Sequence, residues 1–151
     1  EDKFKQINPI ILSGRRLNDR MGVYISNKII SEFYKRNIDD KHVKCLILGL
    51  TFKENCSDVR NTKVLDIYTN LLKEFGNVEI SDPYASNKDI SRVYGKESIE
   101  IAKSDLKIFD IIVLAVSHNK YEDFYEGEWI HPEQLVFDVN SVIKSDKVMS
   151  L

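Results

Sequence analysis

Two apolar segments of the chain are continuous rather than alternating, and charged or turn residues bound both. Residues 43–48, interrupted only by Lys44, and residues 109–116, with a continuous apolar run at 111–116, predict strands that are buried on both faces. Shorter segments at 77–81 and 135–139 predict two further strands. Because continuous buried strands are typical of parallel sheets, the pattern predicts a sheet with helices on both sides.

Helical spacing appears before and between these strands. A second helix is expected to begin at a cap on Asn61 or Thr62, run to about residue 75 and stop at Gly76. A short helix is expected at 86–94 and some helix within 121–133. Residues 98–107 are ambiguous between a short strand and a helix.

The first helix, expected over about 16–36, is the longest. Its apolar positions recur every three or four residues and form one stripe: Leu17, Met21, Tyr24, Ile25, Ile29, Ile30 and Phe33. Two interpretations of this stripe stand side by side. It packs on the sheet of its own domain, or it forms an interface between domains or subunits.

Alternation of strands and helices predicts an α/β fold with a Rossmann-like, doubly wound parallel sheet preceded by a long amphipathic helix. Such folds normally carry a GxGxxG fingerprint after the first strand. Here Gly49 is followed by Leu50, Thr51 and Phe52, so the fingerprint is lacking. A side-chain cation such as Lys53 would have to replace the missing backbone contacts to a phosphate.

Composition narrows the class of protein. With 151 residues, 42% of them hydrophobic and 30% charged, the chain is long enough for one domain with a sizeable core. A net charge of −2 argues against a nucleic-acid partner, so any anion site must be local. Cys45 and Cys56 lack CxxC spacing and indicate neither a disulfide nor zinc. No membrane span or signal peptide is visible, so a cytoplasmic protein is expected.

Residues 49–63, GLTFKENCSDVRNTK, resemble the C-terminal motif of the UDP-glucose/GDP-mannose dehydrogenases, in the branch that oxidises UDP-N-acetylhexosamines such as UDP-N-acetylmannosamine. Residues 14–22, the pair Asp82-Pro83 and residues 114–119 resemble further family segments in the same order. The pair His118-Asn119 is similar to the N-acetylhexosamine branch. Residues 137–141, FDVNS, lack the arginine found there in UDP-glucose dehydrogenases, which leaves part of the substrate contact unassigned.

This resemblance implies a domain division and an activity. Residues 1–36 would end the inter-domain and dimerisation helix region, and residues 37–151 would form the C-terminal UDP-sugar-binding domain. The family oxidises the C6 hydroxyl of its sugar to a uronic acid with NAD, for surface polysaccharides such as capsule or O-antigen. NAD is bound mainly by an N-terminal domain, and the parent protein is expected to be a homodimer.

The family's catalytic cysteine lies in a glycine-rich segment of its central domain. This chain has no Gly-Gly pair, so no catalytic residue is assigned and the fragment alone is expected to be inactive. Cys56 is a weak nucleophile candidate because no histidine adjoins it in sequence.

The resemblance also assigns binding residues. Lys53 would contact the sugar nucleotide, Phe52 would pack on it, and Arg60 would reach toward the phosphates of the cofactor. Arg15 and Arg16 would contact the substrate near the cleft.

Simpler interpretations remain for each candidate. Lys53 is otherwise a solvated loop lysine. Arg60 is otherwise a salt-bridge partner of Asp58 or Glu54. His118 lies either at a ligand site after a central strand or in a structural turn.

Two other functions remain open for the whole chain. It is a stand-alone nucleotide-binding or regulatory module, or an oligomerisation module built on the long helix.

Overall fold

The computed structural model describes residues 9–36 and 42–151, and the side chains of 20–36 and 42–151. The first half contains helix α1 (Pro9–Lys35), strand β1 (Cys45–Leu48), helix α2 (Val64–Phe75), strand β2 (Val78–Ser81) and helix α3 (Asn87–Tyr94). The second half contains a 3-10 helix (Lys103–Ile108), strand β3 (Ile111–Leu114), a second 3-10 helix (Asn119–Phe124), strand β4 (Leu135–Asp138) and strand β5 (Val148–Met149).

All five strands of the described sheet are parallel, in the order β2-β1-β3-β4-β5. The chain passes from β1 outward to β2 and then returns to β3 on the other side of β1. Ligands of open α/β sheets bind at such a switch point, outside the carboxyl ends of the strands. The predicted doubly wound parallel α/β fold is confirmed, and the switch point lies at the ends of β1 and β3.

Side chains of the buried strands alternate between two apolar layers. Cys45 and Ile47 of β1 belong to the layer that contains α1, α2 and α3. Leu46 and Leu48 belong to the opposite layer, which the 3-10 helices cover. Because both faces are covered, β1, β3 and β4 are fully buried, as the continuous apolar runs predicted for β1 and β3.

Helix α1 packs against α2. Ile25, Ile29 and Phe33 are buried, and the Phe33 ring meets the Phe75 ring edge-on at a centroid distance of 5.0 Å. A Cβ atom at Gly22 would lie 2.5 Å from the Lys63 carbonyl oxygen, so the two backbones touch at this point. The described part of the apolar stripe therefore packs on its own domain, the first of the two interpretations.

Several sequence predictions differ in detail from the structure. Tyr24 is 56% exposed, so its place in the stripe was wrong: it lies about 100° around α1 from Ile25, on the side away from Ile29 and Phe33. Helix α2 begins at Val64 with Lys63 at its N-cap, so the expected cap on Asn61 or Thr62 was wrong, although the Thr62 hydroxyl accepts the Val64 N–H at 3.2 Å. The ambiguous segment 98–107 leads into a 3-10 helix. Strand β5 was not predicted because it has only two residues.

Within residues 9–36 and 42–151, the structure contains no helix with the length and apolar composition of a membrane span.

Candidate functional site

The loop after β1 leaves the sheet through Gly49, whose backbone is left-handed at φ +83°. A Cβ atom there would lie 2.4 Å from the Val116 carbonyl oxygen. Only glycine fits both the conformation and the close approach. This contact brings the loops after β1 and β3 together at the switch point.

Backbone amides at the start of this loop are bonded within the protein. Gly49 N–H donates to the Ser81 carbonyl at 2.9 Å, and Phe52 N–H donates to the Asp58 carbonyl at 2.7 Å. Leu50 N–H donates to the Asp82 carboxylate at 2.7 Å. A glycine fingerprint offers free amides to a pyrophosphate, and these three amides are not free. The start of the loop therefore does not offer a pyrophosphate the free amides of a glycine fingerprint.

Side chains, by contrast, are available for a ligand. Phe52 is 60% exposed and, with the exposed Lys53, lines a cavity of about 480 Å³ at the ends of β1, β3 and β4. Within the side chains that the structure describes, the Lys53 ammonium has no hydrogen bond or ion pair. An aromatic face and an unpaired cation in one cavity suit an anionic ligand that also carries a ring.

Asn140 also lines this cavity and was not among the predicted site residues. Its side-chain amide donates to Ser117 Oγ at 2.9 Å and to Glu54 Oε1 at 3.2 Å. It lies in the segment 137–141 that lacks the family arginine. Its position directly after a parallel strand, β4, is the sequence signal that points to it.

A buried pair, Asp82 and His118, lies behind the loop. His118 Nε2 is 2.9 Å from Asp82 Oδ2, and both side chains have no exposed surface. Burial raises the pKa of Asp82, but hydrogen bonds from His118 and from the amides of Leu50, Ala85 and Tyr84 outweigh it and hold that pKa below its ordinary value. The carboxylate therefore stays charged at neutral pH.

Arg60 lies apart from the cavity that Phe52 and Lys53 line. Its guanidinium is 81% exposed and bonds both Asp58 carboxylate oxygens, at 2.9 and 3.0 Å. This pairing lowers the pKa of Asp58 to about 2. Of the two salt-bridge partners predicted for Arg60, Asp58 is the one observed. The guanidinium lines a smaller cavity, of about 310 Å³, next to Arg92 of α3.

The remaining candidates contribute little to this geometry. Arg15 and Arg16 lie in α1, but their side chains fall outside the described part of the structure. The Cys56 thiol donates to the Lys53 carbonyl at 3.1 Å, a bond that steadies the loop. Within residues 20–36 and 42–151, no group of three or more acidic, histidine or cysteine side chains is placed to hold a metal ion.

Comparison with known proteins agrees with this picture. Residues 46–145 match the model of the UDP-glucose/GDP-mannose dehydrogenase family, UDP binding domain. Protein CapL of Staphylococcus aureus is 37% identical over 92% of the chain, which spans 33% of CapL. The UDP-N-acetyl-D-glucosamine 6-dehydrogenase of Salmonella typhi is 42% identical over 75% of the chain, which spans 26% of that protein.

A solved structure shares the fold. The UDP-D-ManNAc dehydrogenase of Pyrococcus horikoshii superposes with a TM-score of 0.76 at 20% identity, over 98% of this chain and 34% of that one. The chain thus spans about a third or less of the length of the curated relatives that it matches.

Proposed function

We propose that this chain binds the UDP part of a UDP-N-acetylhexosamine. The chain belongs to the UDP-glucose/GDP-mannose dehydrogenase family and matches its UDP-binding domain. In this proposal it is the C-terminal domain of an enzyme that oxidises the C6 hydroxyl of that sugar to a carboxylate. The proposed substrate class follows from the family segments that the sequence resembles, and a relative named as a UDP-N-acetyl-D-glucosamine 6-dehydrogenase supports it.

One observation carries the proposal: Phe52 and Lys53 lie side by side, exposed, at the switch point of the sheet. A diphosphate needs fixed positive charge, and the loop supplies it from a side chain because its first amides are bonded internally. Phe52 would give the uridine or sugar an apolar face to pack on. Asn140, at the same cavity, would orient a polar group of the ligand.

The chemistry would take place between this chain and other parts of a longer protein. NAD supplies hydride acceptance and would be bound mainly by a separate N-terminal domain. The part assigned to this chain is to hold the nucleotide so that the sugar extends toward that cofactor. Arg60 would reach a cofactor phosphate with the face not bonded to Asp58, and Arg15 and Arg16 would lie along the substrate cleft.

Further parts of the proposal concern the whole protein. Residues 37–151 would form the binding domain, and residues 1–36 would end the helix region that joins it to a central, dimer-forming domain. The catalytic cysteine would lie in that central domain, so this chain alone would be inactive. A homodimeric, cytoplasmic enzyme that supplies a uronic acid for a surface polysaccharide is the setting we propose.

Calorimetric titration of the 151-residue chain tests the binding step directly. We expect UDP to bind, UMP to bind more weakly because it lacks the second phosphate, and NAD to give no heat of binding. Equal affinities for UDP and UMP, or tighter binding of NAD than of UDP, would contradict the proposal.

An activity assay of the longer protein tests the reaction. We expect NAD to be reduced in the presence of UDP-N-acetylglucosamine or UDP-N-acetylmannosamine, and not with UDP-glucose. Binding of UDP without reduction of NAD by any of these sugars would instead support a binding or regulatory module.

A further inference from the structure

We propose that His118 is a positioning residue: its neutral ring holds residues 51–55 in the conformation that presents Phe52 and Lys53 to a diphosphate. This inference rests on the proposed function, since it names the group that shapes the same binding loop. His118 itself is fully buried and does not line the cavity that Phe52 and Lys53 form. It would act through the loop rather than by touching the ligand.

Both ring nitrogens of His118 are engaged. Nδ1 accepts the backbone N–H of Asn55 at 3.0 Å. Nε2 lies 2.9 Å from Asp82 Oδ2 and 3.3 Å from Thr51 Oγ1. The ring therefore joins the middle of the loop to its beginning, and it anchors both to the carboxylate at the end of β2.

These contacts fix the protonation of the ring. A backbone amide only donates, so Nδ1 must present a lone pair to Asn55. The single proton of a neutral imidazole then resides on Nε2, where it is donated to the Asp82 carboxylate. A proton on Nδ1 would face the Asn55 N–H and break that bond.

The loop needs this support because Asn55 has left-handed backbone geometry, with φ +54°. Asparagine adopts this conformation more readily than most residues other than glycine, and hydrogen bonds to its surroundings hold it there. A second bond helps, since the Asn55 side-chain oxygen accepts the Asn119 N–H at 2.9 Å. Residues 118 and 119 thus form hydrogen bonds with both the backbone and the side chain of Asn55.

Lys53 lies between the two held positions. On one side the Thr51 hydroxyl donates to the Lys53 carbonyl at 2.9 Å, and on the other Asn55 is bound to His118. Only Phe52 and Glu54 separate Lys53 from these anchors in sequence. Release of Asn55 would therefore free the segment that carries both ligand-facing side chains.

The ring is itself held in one orientation. The Tyr84 and Tyr121 rings lie 5.0 and 5.8 Å from its centroid. The Tyr125 hydroxyl donates to the His118 carbonyl at 2.8 Å. A histidine that served only to fill space would need the packing but not the bond to Asn55, so a test must separate these two contributions.

Two substitutions make that separation. In His118→Asn the side-chain oxygen falls near the position of Nδ1 and can still accept the Asn55 N–H. In His118→Gln the terminal amide falls near Nε2 and can still donate to Asp82, but the acceptor for Asn55 is lost. We expect His118→Gln to weaken UDP binding by about five- to tenfold, as for one lost hydrogen bond, and His118→Asn to weaken it less.

A double variant supplies the sharper measurement. If His118 acts by placing Phe52 and Lys53, the loss of affinity in the double variant Lys53→Ala and His118→Gln should be smaller than the product of the two single losses. Independent, multiplicative losses would overturn the inference, and so would equal affinities of the wild type and His118→Gln. Gln134→Leu is the control, because it removes buried hydrogen bonds at the amino ends of β3 and β4, away from the binding loop, and should leave the affinity unchanged.

The inference also has a test that needs no variant. Long-range proton–nitrogen NMR of the wild-type chain should show an unprotonated Nδ1 and a protonated Nε2 for His118. The opposite tautomer would overturn the inference even if a His118 variant fails to fold. Wild-type protein that does not bind UDP at all would instead refute the proposed function, so the two failures are distinguishable.

Discussion

Removal of the Lys53 ammonium is the most direct perturbation of the proposed site. Lys53→Ala deletes one exposed cation whose ammonium has no partner among the described side chains. The free energy of unfolding should therefore stay within about 0.5 kcal/mol of the wild-type value. A contact between this ammonium and a phosphate would contribute about 1.5–3 kcal/mol, which corresponds to a roughly 10- to 150-fold weaker Kd for UDP. Solvent exposure of the lysine favours the lower part of that range.

The matched control is Lys73→Ala. Lys73 is also exposed, but it lies in the last turn of α2, at the end of that helix remote from the loop after β1. Both variants change the net charge equally, so any long-range electrostatic effect is shared. Calorimetric titration of UDP should show a loss of affinity only for Lys53→Ala, and that loss should shrink at high salt. Equal Kd values for the two variants would refute the assignment of Lys53 to the ligand.

Three further predictions concern stability and are measured by chemical denaturation. Gly49→Ala should lower the free energy of unfolding by at least about 2 kcal/mol, because the new Cβ meets the backbone of Val116 in a left-handed conformation; a neutral effect would contradict the turn. Phe33→Ala should cost about 3–5 kcal/mol, since the ring is fully buried between α1 and α2; a loss below about 1 kcal/mol would mean that α1 does not pack there. Asp82 has a lowered pKa, so its stabilisation is complete above about pH 4 and is lost as the pH falls further. The stability difference between wild type and Asp82→Asn should therefore shrink in acid, and a difference that grew would reverse the assigned direction.

Much of the fold could be predicted from the sequence, because the apolar pattern of each segment matches the burial of that segment in the folded domain. The continuous run at 111–116 predicted a central buried strand, and β3 lies between β1 and β4. Gly76 ends α2 as expected. The misses are of a different kind: Val148–Met149 is too short for any periodicity, and it becomes a strand only because the edge of β4 is available for pairing.

The site was only partly readable. Phe52 and Lys53 lie in the loop that follows β1, and the structure places them in one cavity. The sequence leaves the function of His118 open between a ligand site and a turn, because spacing along the chain carries no information on which backbone amide meets a ring. Its contacts come from Asp82 and Asn55, which are distant in sequence. Asn140 was missed although it follows β4, because its partners Glu54 and Ser117 are distant in sequence.

The internal bonding of the loop amides has a consequence for how this domain can change over evolutionary time. A site that binds phosphate through free amides is tied to its glycines, so most substitutions there damage the turn and the recognition together. Here the turn depends on Gly49, Asp82 and their partners, whereas recognition is assigned to Phe52, Lys53 and Asn140. The residues that hold the turn and the residues assigned to ligand recognition are therefore two separate sets. Ligand preference can therefore drift by exchange of exposed side chains while the backbone beneath them is conserved.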